Sequence, residues 1–299
     1  HQLGWLTGAG LGCATGMHID VARRVFARLE TREYVLREHV PGTKTRAYRL
    51  SLRGADLLNH ALESNQFRSG EDVAIGSYFI HRHLANRYVI AAVRLNRDND
   101  YEPSFFSEHD IVARRAPLHI CANKMADGLL LHPQENGEVM VEWIEAEHAY
   151  KSRPDYKRLL RFALKLSEPD SRRVLVPRET LADDTHYVLQ SMIIVCGKDS
   201  PHFRRLLRAV QAIIPFLTRE AAQRLLSDLA IAVEDAPYHF DVRPVIAHLP
   251  ENIMHQCKSD DAPHDSMMIE KAITAATKAP TPKNWIDSAL RSLGFTVKK

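Results

Sequence analysis

Cysteine is scarce in this chain. There are four, Cys13, Cys121, Cys196 and Cys257, and no two stand in a CxxC or other metal-type spacing. That excludes a disulfide framework and a Cys/His zinc site, and it fits the reduced thiols of a cytoplasmic protein. Long apolar runs are also missing. None approaches the ~20 residues of a membrane span, and no charged-then-apolar leader opens the sequence, so no membrane partner is expected. The chain starts at His1-Gln2-Leu3 without a methionine, which leaves its natural N-terminus open. A strong charge of one sign is absent too: the net +3 does not by itself name a nucleic-acid partner. Its distribution says more. Residues 1–60 carry nine Lys or Arg against five Asp or Glu, an excess larger than that of the whole chain, so the remainder is slightly acidic.

What is present is enough chain, 299 residues, for two cores. Residues 17–37 read as one helix running into a strand, with Val21, Ala22, Val25, Phe26 and Leu29 on one apolar stripe. Tyr34-Val35-Leu36 and Ala47-Tyr48-Arg49-Leu50 flank the turn Pro41-Gly42-Thr43 and predict a hairpin. Ser51 then caps a helix burying Leu52, Ala55, Leu58 and Leu62. Helix, hairpin, helix, with a short helix before them, is the order of a winged helix-turn-helix. This gives a first domain over 1–62, followed by a polar linker at 63–75.

A second domain is expected over 76–249, of mixed α/β class. A helix over 77–95 leads, after a loop near 96–103, to apolar pieces at Ile111–Ala113, Ala126–Leu131 and Val139–Ile144, the last two joined through the turn at 133–137. Helices follow over 154–167, from Ser200-Pro201, and over 218–233, with a buried strand at Tyr187–Cys196 and an edge strand at Val242–Ala247 holding Pro244. Residues 250–299 read as a polar, mobile tether through 282, then a short amphipathic helix at 284–295.

Two sets of side chains carry candidate chemistry. A groove-reading helix needs long donors on its exposed face, and Arg23, Arg24 and Arg28 supply them, with His18 at its start; the wing carries Lys44, Arg46 and Arg49. These are the candidate contacts to double-stranded DNA. The second set is acidic. Glu145 and Glu147 end one strand on one face, and Asp127 stands on its neighbour. Three such carboxylates suit Mg²⁺ or Mn²⁺, which would activate a water against a phosphodiester, with Lys151 or Lys157 stabilising charge and Glu108 as a fourth acid. His81, His83 and His148 read as partly exposed surface groups.

The combination resembles the replication-relaxation family of plasmid and mobile-element proteins. The resemblance rests on Tyr48-Arg49-Leu50-Ser51-Leu52-Arg53-Gly54-Ala55 after Tyr34-Val35-Leu36, on Phe79-Ile80-His81-Arg82-His83-Leu84-Ala85, and on Ser107–Ile111, Ala126-Asp127-Gly128 and Trp143-Ile144-Glu145-Ala146-Glu147. It implies a DNA-binding role in plasmid replication, mobilisation or transcriptional control, with a nucleoid- or plasmid-associated location. It also implies a second domain of the PD-(D/E)xK, restriction-endonuclease-like fold. One departure matters: the position two residues after the acid, where that pattern has lysine, is Glu147. Lys151 or Lys157 would have to substitute; otherwise the domain is a scaffold without catalysis. Three functions follow: a DNA-binding regulator, a Mg²⁺- or Mn²⁺-dependent deoxyribonuclease, or a winged-helix scaffold whose partner is another DNA-processing protein or a second copy of itself.

Overall fold

The computed structural model describes residues 3–70, 79–97, 103–118, 124–147, 153–166, 168, 185–197, 200–259 and 266–276. The chain is mixed α/β, with one three-stranded and one six-stranded sheet.

The first unit runs β1 (Leu6–Thr7), α1 (Gly8–Thr15), α2 (Ile19–Thr31), β2 (Val35–His39), β3 (Arg46–Leu50) and α3 (Leu52–Ala61). Thr7 caps α1 by accepting from the Gly10 N–H at 3.1 Å. A Cβ on Gly12 would lie 2.9 Å from the Met17 carbonyl oxygen, so this glycine is what lets the start of α2 cross close to α1. From α2, Ala22 and Phe26 turn inward, and the Phe26 ring stacks on Tyr48 of β3 with centroids 4.1 Å apart. Helix and strand are not continuous between 17 and 37: α2 stops at Thr31, and Glu33 takes a positive φ of 62° before β2 begins. Ser51 caps α3 as expected, accepting from the Gly54 N–H at 2.9 Å, but of the residues read as inward only Ala55 is buried: Leu58 is half-buried, and Leu52 and Leu62, at the two ends of the helix, are exposed. The strands are antiparallel in the order β1-β3-β2.

The second sheet follows α4 (Phe79–Arg97) and holds β4 (Ser104–Ser107), β5 (Gly128–Pro133), β6 (Glu138–Ala146), β7 (His186–Gly197), β8 (Leu229–Ala236) and β9 (His239–Pro244) in that spatial order. β4, β5 and β6 form an antiparallel meander. The helix α6 (Arg153–Leu166) then carries the chain to β7, which is parallel to β6. The helices α7 (Pro201–Ile213) and α8 (Arg219–Asp228) lead to β8, parallel to β7, and β9 closes the sheet antiparallel. Alternation along β6 serves two cores: Val141 and Trp143 pack among Leu159, Phe162 and Leu206, while Ile144 and Ala146 pack under Leu84 and Val89 of α4.

Several parts of the large domain differ from the sequence expectation. The edge strand expected at Val242–Ala247 is His239–Pro244, and Val245–His248 is a turn of 3-10 helix. The first strand is Ser104–Ser107, between the loop expected near 96–103 and Ile111. Ile111 belongs instead to α5 (Glu108–Val112), which Ser107 and Asp110 start with a reciprocal capping box. The expected helix 218–233 ends at Asp228, and Leu229–Ala236 is a strand whose first four residues are all buried, so it has no polar alternation to announce it. Finally, the stretch read as a tether contributes to the core. Ile253 is buried, and α9 (Ser266–Ala276) places Ile269 and Ile273 against the α6–α7 layer, with Arg161 reaching Glu270 through both carboxylate oxygens. The helix expected at 284–295 lies outside the described residues.

The two sheets are joined through α4. Trp5 stacks on Phe79 at 5.4 Å, Asn86 donates to the Leu3 carbonyl at 2.9 Å, and the Tyr238 and Thr7 hydroxyls lie 3.3 Å apart. The described part of the expected linker is held down as well. Asn59 exchanges two hydrogen bonds with the Phe67 backbone, and the Gly70 N–H donates to the Leu50 carbonyl at 2.8 Å. Among the described residues no helix is long and apolar enough to cross a membrane.

Candidate functional site

The basic set sits where α2 and the β2–β3 hairpin meet solvent. His18 is the N-cap of α2, its Nδ1 accepting from the Asp20 N–H at 3.3 Å. Arg23, Arg24 and Arg28 are exposed, on the side of α2 away from Ala22 and Phe26. Arg23 bonds Asp20 at 3.1 Å and Arg24 the Asp20 carbonyl at 3.3 Å, contacts that leave both guanidinium groups at the surface. The hairpin tip is pinned by Thr43, whose buried hydroxyl donates to the Val40 carbonyl and accepts from the Thr45 N–H. Lys44 and Arg46 project from that tip into solvent. Arg49 differs from its neighbours. It is half-buried and pairs with Glu38 across the strands at 2.9 Å, which holds it against the sheet.

The acidic set is at one end of the six-stranded sheet. Asp127 immediately precedes β5; its Oδ2 accepts from the Ala146 N–H at 2.8 Å, and its Oδ1 lies 2.8 Å from Nε2 of His81 on α4. Glu108 opens α5, pairs with Arg82 of α4 at 3.0 Å, and sends its backbone N–H to the Asp127 carbonyl. Glu145 is fully buried. Its Oε1 accepts from the Trp143 indole at 2.7 Å, and its Oε2 meets the ammonium of Lys124. Glu147, also buried, donates its N–H to Val195 on β7 at 2.7 Å. Burial, aided by the nearby Glu147 charge, pushes the Cys196 thiol up to about 12.

The three proposed metal ligands therefore stand at one sheet end, but Asp127 and Glu145 are turned to different protein donors. Asp127 faces α4, while Glu145 lies on the other face with Trp143. Among the described residues, no group of three or more His, Cys, Asp or Glu side chains is gathered to hold a metal ion. Of the expected lysines, Lys151 lies outside the described residues. Lys157 is on α6 near Glu270, whose carboxyl is held below the ordinary range first by the Arg161 hydrogen bond, with Lys157 adding a smaller part.

Sequence reasoning missed Lys124 and the histidines. Lys124 stands three residues before Asp127, and that nearness was the available signal. His148 lies outside the described residues; His81 is half-buried at Asp127, as a partly exposed group, whereas His83 is buried with its ring 5.0 Å from that of Phe79 and is not a surface group. Their i, i+2 spacing put them on no common stripe that would have announced this. Comparison of the chain with protein-family models, with curated proteins and with solved structures found no match.

Proposed function

We propose that the chain binds double-stranded DNA through a winged helix-turn-helix formed by residues 3–61, with α2 as the groove-reading helix and β2–β3 as the wing. One observation carries the reading: α2 leaves Arg23, Arg24 and Arg28 exposed while the hairpin tip exposes Lys44 and Arg46, the two elements that such a domain lays on a duplex. The likeness to replication-relaxation proteins extends this to DNA of a mobile element, in replication, mobilisation or transcriptional control. The six-stranded domain, with its order of helix, three-stranded meander, helix and parallel strand, is read as nuclease-like. Each arginine that meets a phosphate adds close to one to the salt slope of binding. Arg24→Ala with Arg28→Ala should therefore lower the slope of log K against log salt by about two. An unchanged slope and affinity on a plasmid-length duplex would reject the reading.

A second reading, deoxyribonuclease activity, has one observation in its favour: a lysine, Lys124, stands against Glu145 at the end of β6, next to Asp127. Incubation of supercoiled plasmid with the protein and Mn²⁺ tests it. Nicking that disappears in Lys124→Ala and Asp127→Ala supports it; no nicking, or equal nicking by both variants, removes it.

A further inference from the structure

Away from both sets, a cleft of about 540 Å³ opens between the second half of α4 and the β9 edge of the sheet. That is the size of a small-molecule site. Tyr88, Ala91, Ala92 and Leu95 line it from one stripe of α4, at i, i+3, i+4 and i+7, and Phe240 and Val242 line it from alternate positions of β9. The rings of Tyr88 and Phe240 meet edge to face at 5.4 Å. The two alanines keep the space open, and the lips are apolar side chains left in water: Leu95 is 65% exposed and Val242 44%.

One carboxylate enters this apolar space. Glu142 belongs to β6, near the middle of the sheet, on the α4 face; burial, with the Glu142 charge adding to it, raises the pKa of the Tyr88 hydroxyl and keeps it protonated. Two irregularities in the sheet flank the cleft. The β6–β7 ladder slips between Val141 and Glu142, leaving Gln190 extra, and the β8–β9 ladder slips opposite Phe240 and His239, leaving Asp235 extra. Bulges of this kind re-aim side chains and cluster beside functional sites. Two cations also line the cleft. Arg94 is exposed to solvent, which screens its charge, with Cys13 of α1 4.0 Å away, and His239 is held by Asp235 at 2.6 Å; Arg87, behind Tyr238, is paired with Glu234 at 2.6 Å. His132 also faces Glu142, its Nε2 3.7 Å from the carboxylate, within ion-pair range though longer than a hydrogen bond.

We infer that this cleft binds a small organic ammonium ion carried on an apolar or aromatic body. The ammonium meets the Glu142 carboxylate and the faces of Tyr88 and Phe240, and the body lies between Ala92 and the lips at Leu95 and Val242. The site shares no residue with the DNA-facing surface, so the two readings stand or fall separately.

The test titrates the full chain with benzyltrimethylammonium chloride at constant ionic strength, by calorimetry and amide NMR shifts, against benzyl alcohol as the uncharged aromatic probe. The expected result is saturable binding, at least about ten-fold tighter for the cation than for the alcohol. Glu142→Gln should lose that ten-fold preference, and Ala92→Phe, which fills the cleft, should lose binding altogether. Non-saturating shifts, equal affinity for the alcohol, or undiminished cation affinity in folded Glu142→Gln or Ala92→Phe would each overturn the proposal. The selectivity of the unaltered chain requires no variant, so the test stands even if either substitution prevents folding.

Discussion

Glu145 is a carboxylate with no access to water, a condition that costs several kcal/mol unless donors replace the lost hydration. The indole of Trp143 and the ammonium of Lys124 are such donors. Lys124→Met removes one of them and leaves the charge in place, so the variant should lose about 3 kcal/mol, measured by chemical denaturation at neutral pH. If the loss were within 0.5 kcal/mol, the pair would contribute little to the fold. On α5, His109 shows the opposite electrostatics. Burial, then the Arg115 charge, holds its ring below the ordinary histidine value. The unfolded chain therefore takes up a proton that the folded chain resists, and the stability associated with a neutral His109 is lost as pH falls below about 6.5. His109→Gln should flatten the fall in denaturation midpoint between pH 7 and pH 5. A variant with the same pH dependence as the parent would assign that slope to other groups, His248 among them, whose pKa burial also lowers.

At the level of elements, legibility followed the periodicity of burial. The helix α2 turns Ala22 and Phe26 inward and a basic face outward, and both the helix and its exposed arginines were readable from spacing, although Val21, read on the inward stripe, is exposed. The β5–β6 hairpin was equally readable, because a Gly137 turn separates two apolar runs. By contrast, β8 is covered on both faces at its start, which erases the alternation that tells strand from helix. The helix α9 was hidden by composition: Ile269 and Ile273 are four apart within a polar stretch, and an average over the stretch dilutes them. Likewise the site's lysine had only its nearness to Asp127 to announce it, because its partner, Glu145, is 21 residues away and only the sheet brings them together. The burial of α9 has a measurable consequence. Ile273→Ala removes a fully buried side chain and should cost about 2–4 kcal/mol, whereas exposed Lys271→Ala should stay within about 0.5 kcal/mol. Similar small effects from both would mean that 266–276 adds nothing to the folded core.

For the whole molecule, the decisive feature is that the basic unit has no apolar core large enough to stand alone. Its own cluster holds Phe26, Val35 and Tyr48, while its Trp5, Val40 and Ala47 are buried with Phe79, Leu84 and Leu130 of the larger domain. Polar contacts follow the same seam. Arg82 lies over the Trp5 ring at 5.2 Å while pairing with Glu108, and Tyr238, whose ring faces Arg87, meets the hydroxyl that caps α1. A small unit that buries Trp5, Val40 and Ala47 against its neighbour should unfold with that neighbour. Denaturation followed by far-ultraviolet circular dichroism and by tryptophan fluorescence should give one coincident transition. Trp5→Ala should shift that transition as a whole, by about 3–5 kcal/mol, because the ring sits between Phe79 and Arg82 at the seam. Separate transitions, or a Trp5→Ala effect confined to one of them, would mean that the two sheets fold as independent bodies. With a single transition, α2 and the wing are held in a fixed orientation to the Asp127–Glu145 end of the large sheet, because the helix that buries Trp5 also carries His81 and Arg82 to Asp127 and Glu108.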